Sequence, residues 1–266
     1  MERLSGRGAL VSGGGQGLGR AISKRLAAEG AIVTVADINV DKGNECVAQI
    51  EAAGGNAQFV QANVAKDDAI QRTVETAAEW SGGLAVLVNT AQYFAPAKAF
   101  EVVSMKDWEL SESTGPRASF RFMQLAFPFL RDSGHGSVIN FTSGSALAGI
   151  RYTAPYSAAK GAIHAITRVA ANEWARQNVR VNAMCPFALT EVQQGMIGTE
   201  LDNYTRTADL SPMGRGADPD AEIAPVVAFL ASDDSAFVTG TVMHADGGLT
   251  ELSAIDYSSA PGVFEP

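Results

Sequence analysis

Short apolar runs rich in β-branched residues alternate along the chain with longer stretches in which apolar residues recur at helical spacing. The apolar runs predict strands at 8–12, 31–37, 57–64, 84–90, 136–143, 179–186 and 239–248. The helical spacing predicts helices at about 17–29, 41–53, 66–80, 104–131, 154–177 and 219–231. Strands this apolar are buried on both faces, and strands separated by helices pair in parallel. The pattern therefore predicts an α/β fold, a doubly wound parallel sheet of about seven strands with helices on both faces.

The length of 266 residues suits a single domain, which we expect to span residues 1–250. Residues 187–216 contain no clear strand and follow the carboxyl end of one, so we expect them to form a lid over a ligand. The tail at 251–266 has mixed polarity, which leaves open a loose segment or one docked at a subunit interface.

A glycine-rich segment, "SGGGQGLG" at 12–19, lies between the first strand and the first helix. Glycine permits positive φ and lets backbone N–H groups approach a pyrophosphate at a helix N-terminus. The spacing of Gly13, Gly17 and Gly19 differs from the common G-x-G-x-x-G pattern. Its place after the first strand nevertheless favours a dinucleotide-binding, Rossmann-type domain.

Asp37 ends the second predicted strand, 24 residues after Gly13. A carboxylate there can accept hydrogen bonds from both ribose hydroxyls of an adenosine, and it repels a 2′-phosphate. Gln16 and Ile38 occupy positions where a basic residue could offset that repulsion. The sequence therefore favours NAD over NADP, although an isolated aspartate also fits a turn or a helix cap.

The segment "APYSAAKGA" at 154–162 places Tyr156 and Lys160 one helical turn apart on one face. At an effective dielectric of about 20, a unit charge about 4 Å away is worth about 4 kcal/mol, or about three pKa units. We therefore expect Lys160 to lower the pKa of Tyr156 toward 7, where a general acid–base works best. The positive nicotinamide of an oxidised cofactor acts in the same direction.

Taken together, the motifs resemble the short-chain dehydrogenase/reductase family over essentially the whole chain. The matching features, in order, are "SGGGQGLG", Asp37, "VNTA" after the fourth strand, Ser143, Tyr156-x-x-x-Lys160, "VRVNAMCP" with Thr190, and "TGTVMHADGG". The resemblance implies a nicotinamide-dependent interconversion of alcohol and carbonyl, in a homotetramer or homodimer.

The resemblance also implies roles for individual residues. Tyr156 is expected to exchange the proton, Ser143 to hydrogen-bond the substrate oxygen, and Lys160 to hold the nicotinamide ribose. Singly, these three also fit a core aromatic, a strand-end cap and a solvated lysine; jointly they favour chemistry. The expected cofactor-binding residues are Gly13, Gln16, Gly17, Leu18, Gly19, Asp37, Ile38, Asn63, Val64, Asn89, Ala91, Tyr156, Lys160, Pro186 and Thr190.

The chain departs from the family pattern at four positions. Gln92 stands where the family has the glycine of Asn-Asn-Ala-Gly, and Gly115 stands where it has a catalytic asparagine. Phe187 replaces the glycine of a Pro-Gly pair, and Asn63 replaces an aspartate near the adenine.

Pro116 follows Gly115 directly inside the predicted helix at 104–131. Proline lacks an N–H and clashes with the carbonyl four residues earlier, here that of Glu112. We therefore expect a kink at this point, with a carbonyl free to hold water.

Composition excludes several classes of partner. The net charge of −9 and the pI of about 4.9 disfavour a nucleic acid, an anionic membrane surface or an acidic carrier protein. Two cysteines, Cys46 and Cys185, and the lack of a signal peptide or a membrane-length apolar run indicate a cytoplasmic protein. The three histidines, at 135, 164 and 244, are far apart in the sequence, so no metal site is expected.

These observations predict an NAD-dependent oxidoreductase that interconverts a secondary alcohol and a ketone on an apolar substrate of small or medium size. Two alternatives stay open: an NAD-binding protein with weak or no catalysis, and a 3-oxoacyl reductase, which Asp37 and the net charge disfavour. The candidate substrate pocket consists of Gln92, Tyr93, Phe94, Ser145, Leu147, Tyr152, Phe187 and Met196.

Overall fold

A single parallel sheet of seven strands organises the protein, in the order β3-β2-β1-β4-β5-β6-β7. The structure, a computed structural model, describes residues 2–188, residue 190 and residues 208–250. The strands are β1 (Gly8–Ser12), β2 (Ile32–Asp37), β3 (Asn56–Gln61), β4 (Val86–Asn89), β5 (Gly136–Phe141), β6 (Val179–Pro186) and β7 (Val242–Ala245).

Helices connect the strands and cover both faces of the sheet. In the described part of the chain they are α1 (Gly17–Ala28), α2 (Val40–Ala52), α3 (Asp67–Ser81), α4 (Met105–Thr114), α5 (Pro116–Asp132), α6 (Ser145–Ala148), α7 (Ala154–Trp174) and α8 (Ala224–Ala231). On one face, α1 and α8 contribute Ile22 and Val227 to the core; on the other, α3 and α5 contribute Val74 and Phe122.

Burial of the strands on both faces explains why apolar runs in the sequence predicted them. Every residue of β1, β4 and β5 is buried, which is why each of these strands is an almost continuous apolar run. The predicted α/β fold with a doubly wound, Rossmann-type parallel sheet is confirmed. Strands β2 and β3 lie on one side of β1, and β4 to β7 lie on the other. The strand order therefore reverses at β1, and this opens a crevice at the carboxyl ends of the strands.

One predicted helix is divided in two. The single helix expected over 104–131 is α4 and α5, which meet at Gly115, with φ −94° and ψ −99°. Pro116 begins α5, where its missing N–H costs no helical hydrogen bond. The expected kink is therefore a complete helix break.

Two predicted segments fall largely or wholly outside the described residues. Of the lid expected over 187–216, residues 189 and 191–207 are not described, and neither is the tail at 251–266. Among the described helices, none combines the length and the apolar character needed to cross a bilayer.

Candidate active site

A cavity of about 680 Å³ opens at the carboxyl ends of the strands. Residues at or just beyond the ends of five strands line it: Gly13 after β1, Asp37 in β2, Thr90 after β4, Ser143 after β5 and Pro186 in β6. The parallel sheet therefore brings together residues that are up to 173 positions apart in the sequence, because equivalent strand ends meet at one edge.

The glycine-rich turn forms one end of the cavity. Gly13 and Gly17 have φ of +68° and +53°, in the region that favours glycine. A Cβ on Gly19 would overlap the carbonyl oxygen of Gly13, so the turn is too tight for any other residue. The turn leads directly into α1, so the backbone N–H groups at the start of this helix lie beside the cavity. This arrangement suits a phosphate group.

Asp37 provides a fixed negative charge beside that turn. Its carboxylate is buried and accepts hydrogen bonds from Gly15 N at 3.0 Å and Asn39 N at 2.9 Å. Among the described residues that line the cavity, Lys160 is the sole basic one. The Asp37 end of the cavity therefore suits neutral ribose hydroxyls better than an additional phosphate.

Ser143, Tyr156 and Lys160 all line the same cavity. Tyr156 and Lys160 lie one turn apart on α7, with Lys160 Nζ 5.5 Å from the centre of the Tyr156 ring. Ser143 follows β5, and its side chain hydrogen-bonds Tyr156. Lys160 is buried and donates a hydrogen bond of 2.7 Å to the carbonyl of Phe141. The structure brings the three predicted catalytic residues together.

The expected pKa of Tyr156 is wrong for the chain by itself. Burial raises the pKa of Tyr156 to about 12, and the hydrogen bond from Ser143 lowers it by less. Burial also lowers the pKa of Lys160 to about 8. The expected lowering required an ammonium about 4 Å from the phenol in a partly solvated site; here Lys160 donates to the carbonyl of Phe141, and burial outweighs the hydrogen bond from Ser143.

Most of the predicted cofactor-binding residues line the cavity: Gly13, Gln16, Gly17, Leu18, Gly19, Asp37, Ile38, Asn63, Val64, Ala91, Tyr156, Lys160, Pro186 and Thr190. Asn89 does not. It is buried in the sheet, where its amide donates a 2.8 Å hydrogen bond to Asn140, its partner in the β4–β5 register. The next residue, Thr90, lines the cavity instead.

The substrate end of the cavity differs from the prediction at two positions. Gln92, Tyr93, Phe94, Ser145 and Phe187 line it as expected. Leu147, in α6, and Tyr152, which follows it with φ +68°, are 61% and 58% exposed and lie outside the lining; Ile150 lines the cavity instead. Met196 lies outside the described residues.

Two groups of lining residues were not found from the sequence. Leu110 and Thr114 reach the cavity from α4, and no motif marks helix residues that face a crevice. Cys185 lines the cavity from β6, and Asp246 lines it from the turn after β7. Both residues lie inside family motifs, "VRVNAMCP" and "TGTVMHADGG", and these motifs could have identified them.

Strand pairing also brings Cys185, His244 and Asp246 together, with one potential ligand atom from each within 4.8 Å of the others. Sequence separation was therefore a poor argument against such a group, since Cys185 is paired with His244 in the β6–β7 register. The carboxylate of Asp246 accepts hydrogen bonds from Gly248 N and Thr250 N, both at 3.0 Å. These bonds give Asp246 a role in shaping the turn after β7.

The lining fits a dinucleotide. A Cβ on Gly13 would lie 2.9 Å from the backbone of Ala91, so the glycine turn packs directly against the residues after β4, with no side chain between them. Ile38 and Val64 give apolar surface beside the Asp37 carboxylate, as an adenosine requires. Lys160 lies at the opposite end, next to Tyr156.

Comparison with known proteins covers nearly the full chain. A family model described as enoyl-(acyl carrier protein) reductase matches residues 13–250. The 2,5-dichloro-2,5-cyclohexadiene-1,4-diol dehydrogenase LinX of Sphingobium indicum is 36% identical, over 93% of this chain and 97% of the relative. Cyclohexanol dehydrogenase of an Acinetobacter species is 33% identical, over 94% and 97%. A crystal structure described as a short-chain alcohol dehydrogenase from Sinorhizobium meliloti has a TM-score of 0.87 at 34% identity, covering 93% of this chain and 98% of that chain.

Proposed function

Because this chain belongs to the short-chain dehydrogenase/reductase family and is an oxidoreductase that acts on alcohols, we propose that it uses NAD to interconvert a secondary alcohol and a ketone on an apolar cyclic substrate. The observation that carries the proposal is a continuous cavity with Asp37 at one end and Ser143, Tyr156 and Lys160 at the other. Such a cavity can hold an adenosine and a reacting carbon at the same time.

The preference for NAD is supported by charge. Enzymes of this family use NAD or NADP, and the difference between them is one phosphate on the adenosine ribose. Asp37 is held by two backbone amides and cannot swing away from that phosphate, and no described lining residue near it is basic. The resulting repulsion favours NAD.

The substrate class is supported by the walls of the cavity. Phe94, Leu110, Ile150 and Phe187 line it near Tyr156, and the described lining holds no arginine for a phosphate or carboxylate. Two relatives are named for alcohols on six-membered carbocycles. A cyclic secondary alcohol of that size suits an apolar pocket with few polar groups.

In this proposal, each residue has a separate part in alcohol oxidation. Ser143 donates a hydrogen bond to the substrate oxygen and thereby orients it toward Tyr156. Tyr156 takes the hydroxyl proton as that oxygen becomes a carbonyl, and Lys160 holds the nicotinamide ribose. When bound, NAD supplies the hydride acceptor and a positive charge beside the phenol. Residues of the apolar wall exclude water from the reacting carbon.

The raised pKa of Tyr156 is consistent with a role for this residue as a proton donor in ketone reduction. By itself the chain keeps Tyr156 protonated at neutral pH, which is the form needed to reduce a ketone. Alcohol oxidation needs the phenolate, and the cation that stabilises it is the oxidised cofactor. The proposal therefore predicts that Tyr156 becomes a usable base in the complex with NAD.

A spectrophotometric panel tests the proposal. Cyclohexanol, substituted cyclohexanols and linear secondary alcohols are each offered with NAD or NADP, and reduced nicotinamide is followed by its absorbance. We expect turnover with NAD on the cyclic alcohols and at least about tenfold less with NADP. Tight NAD binding without turnover on any alcohol or ketone would instead support a binding protein with weak catalysis.

A carrier-protein reductase is the second candidate, because the matching family model is described by that activity. That function predicts the opposite cofactor preference, for NADPH, and reduction of an acyl thioester. Asp37 and the net charge of −9 oppose both the extra phosphate and an acidic carrier. The same panel, extended to a 3-oxoacyl thioester with NADPH, separates the two candidates.

Three further expectations stay proposals. A homotetramer or homodimer is supported by Phe120 on α5 and Val169 on α7, which are 50% and 58% exposed. A lid over 187–216 is supported by Phe187 and Thr190, which line the cavity where that segment begins. A cytoplasmic location is supported by the cysteine content alone.

A further inference from the structure

Two of the positions at which this chain departs from the family pattern touch each other. A Cβ on Gly115 would overlap Oε1 of Gln92 and would lie 3.0 Å from its Cδ. The space that a side chain at position 115 would need is therefore filled by the amide of Gln92. Glycine at 115 and glutamine at 92 are steric complements.

The amide of Gln92 joins two segments of backbone. Its Nε2 donates hydrogen bonds to the carbonyl of Ser111 in α4, at 3.1 Å, and to the carbonyl of Tyr93, at 2.9 Å. Because both partners are acceptors, the orientation of the amide is fixed, with Oε1 directed at Gly115. Oε1 is buried and has no hydrogen-bond partner among the described residues. The position of this side chain therefore depends on its two donor contacts.

The two residues after Gln92 make further contacts, Tyr93 with α4 and Phe94 with Tyr156. Tyr93 N donates to Thr114 Oγ1 at 2.8 Å, and the Tyr93 hydroxyl donates to the buried carboxylate of Asp107 at 3.1 Å. Phe94 follows, and its ring centre lies 4.5 Å from that of Tyr156, with the planes at 48°. Residues 92–94 are thus fastened to both the first and the last turns of α4 and carry an aromatic ring onto the phenol.

We propose that Gln92 is a positioning residue that holds Phe94 against Tyr156, and that residue 115 is glycine because Gln92 occupies its side-chain space. This inference rests on the proposed role of Tyr156 in proton transfer. Phe94 covers one side of the Tyr156 ring, while Lys160, Ser143 and Cys185 are the polar or titratable groups that face it. Releasing Phe94 admits water to the phenol and moves it relative to the substrate oxygen.

The first test removes the two donor contacts and keeps the length of the side chain. Gln92→Met is expected to lower kcat about tenfold and to leave the KM for NAD unchanged. The pH midpoint of kcat is expected to fall, because a better hydrated phenol ionises more easily. Gln71→Met is the matched control: Gln71 is an exposed glutamine of α3 that donates a hydrogen bond to Glu75, and this variant is expected to keep wild-type values. A wild-type kcat and pH profile in Gln92→Met would overturn the inference.

The second test asks whether the two positions are coupled. Gly115→Ala is expected to lower kcat about tenfold, because the new methyl group displaces the Gln92 amide. Gly115→Ala combined with Gln92→Ala is expected to lower kcat about tenfold, as Gln92→Ala does alone, and not about 100-fold, because without the amide the methyl group displaces nothing at residue 92. The methyl group would still lie 2.9 Å from the carbonyl oxygen of Ser111 in every variant with alanine at 115. Two losses that simply multiply would contradict the steric pairing.

A last measurement separates this inference from the proposed function. Wild-type protein that turns over no alcohol or ketone would count against the proposed function. In that event, amide hydrogen exchange over residues 92–98 still decides the inference. Gln92→Met is expected to exchange faster there than wild type and Gln71→Met; equal exchange would overturn it.

Discussion

Lys160 lies above the ring of Tyr156, with its Nζ 5.5 Å from the ring centre, and donates its hydrogen bond to the carbonyl of Phe141 and not to the phenol. The pairing expected from the i, i+4 spacing is therefore present, but its electrostatic effect is not the expected one. Burial raises the pKa of Tyr156 to about 12 and lowers that of Lys160 to about 8. Without a cofactor the phenol of Tyr156 is therefore protonated at neutral pH, and in the proposed function it acts as a base only once NAD is bound.

Removing the lysine should disable the site. Lys160→Met loses the cation near the nicotinamide ribose and leaves the buried carbonyl of Phe141 without its donor. We expect kcat/KM to fall at least about 100-fold, the range of a general acid–base contribution. Lys106→Met, an exposed lysine on α4, is the control and should retain full activity. Steady-state kinetics with NAD and a cyclic alcohol checks this; activity within about threefold of wild type would contradict the assigned role.

The buried lysine should also make stability depend on pH. The pKa of Lys160 is about 8 in the folded chain and 10.5 for a solvated lysine, so the unfolded chain holds more protons between these two values. Stability should therefore rise with pH from about 8 to about 10, above which the raised pKa of Tyr156 reverses the trend. Relative to Lys160→Met, wild type should gain about 2 kcal/mol between about pH 7.5 and pH 10. Urea unfolding at both pH values measures the gain, and a loss over that interval would show that the sign is wrong.

The choice of cofactor should depend on the charge of Asp37. Asp37→Asn removes the negative charge and keeps one of the two side-chain oxygens that accept from the N–H groups of Gly15 and Asn39. We expect the ratio of kcat/KM for NADP to that for NAD to rise at least about tenfold, or about 1.4 kcal/mol. Kinetics with each cofactor at fixed alcohol concentration gives the ratio. An unchanged ratio would exclude Asp37 as the source of the preference.

The glycine turn should tolerate no side chain. Gly19→Ala places a methyl group on the carbonyl oxygen of Gly13, so the turn must open and NAD affinity should fall at least about tenfold. Gly161→Ala is the matched control, because a Cβ there meets nothing within 4 Å and alanine favours the interior of α7. Calorimetric titration with NAD compares the two variants. Equal affinity in both would contradict the turn as a phosphate site.

The sequence predicted the sheet well because its strands are buried on both faces and so carry a strong pattern. It also predicted the lining residues that directly follow strands, such as Gly13 and Ser143, since parallel strands end at one edge. The sequence did not predict the orientation of side chains that is determined by contacts between distant segments. Asn89 pairs across the sheet, and Tyr152, with φ +68°, turns outward.

Contacts between distant segments were likewise beyond the sequence. Gln92 and Gly115 were separate departures from a pattern, and nothing in their spacing indicated that one fills the space of the other. The break at Gly115 was foreseeable from Pro116, whereas the position of Phe94 on Tyr156 was not. The pKa of Tyr156 was misjudged because burial of the phenol, which only the fold determines, raises it by more than the hydrogen bond from Ser143 lowers it.

Proton transfer by Tyr156 is the central step of the proposed reaction. Tyr156→Phe tests this step, because the variant removes the hydroxyl and can keep the ring and its contact with Phe94. The measurement is the single-turnover rate of nicotinamide reduction with saturating NAD and cyclohexanol, made alongside NAD binding to the same variant. We predict unchanged NAD affinity and a rate at least about 100-fold below wild type. A variant that binds NAD normally and reduces it at the wild-type rate would contradict the account.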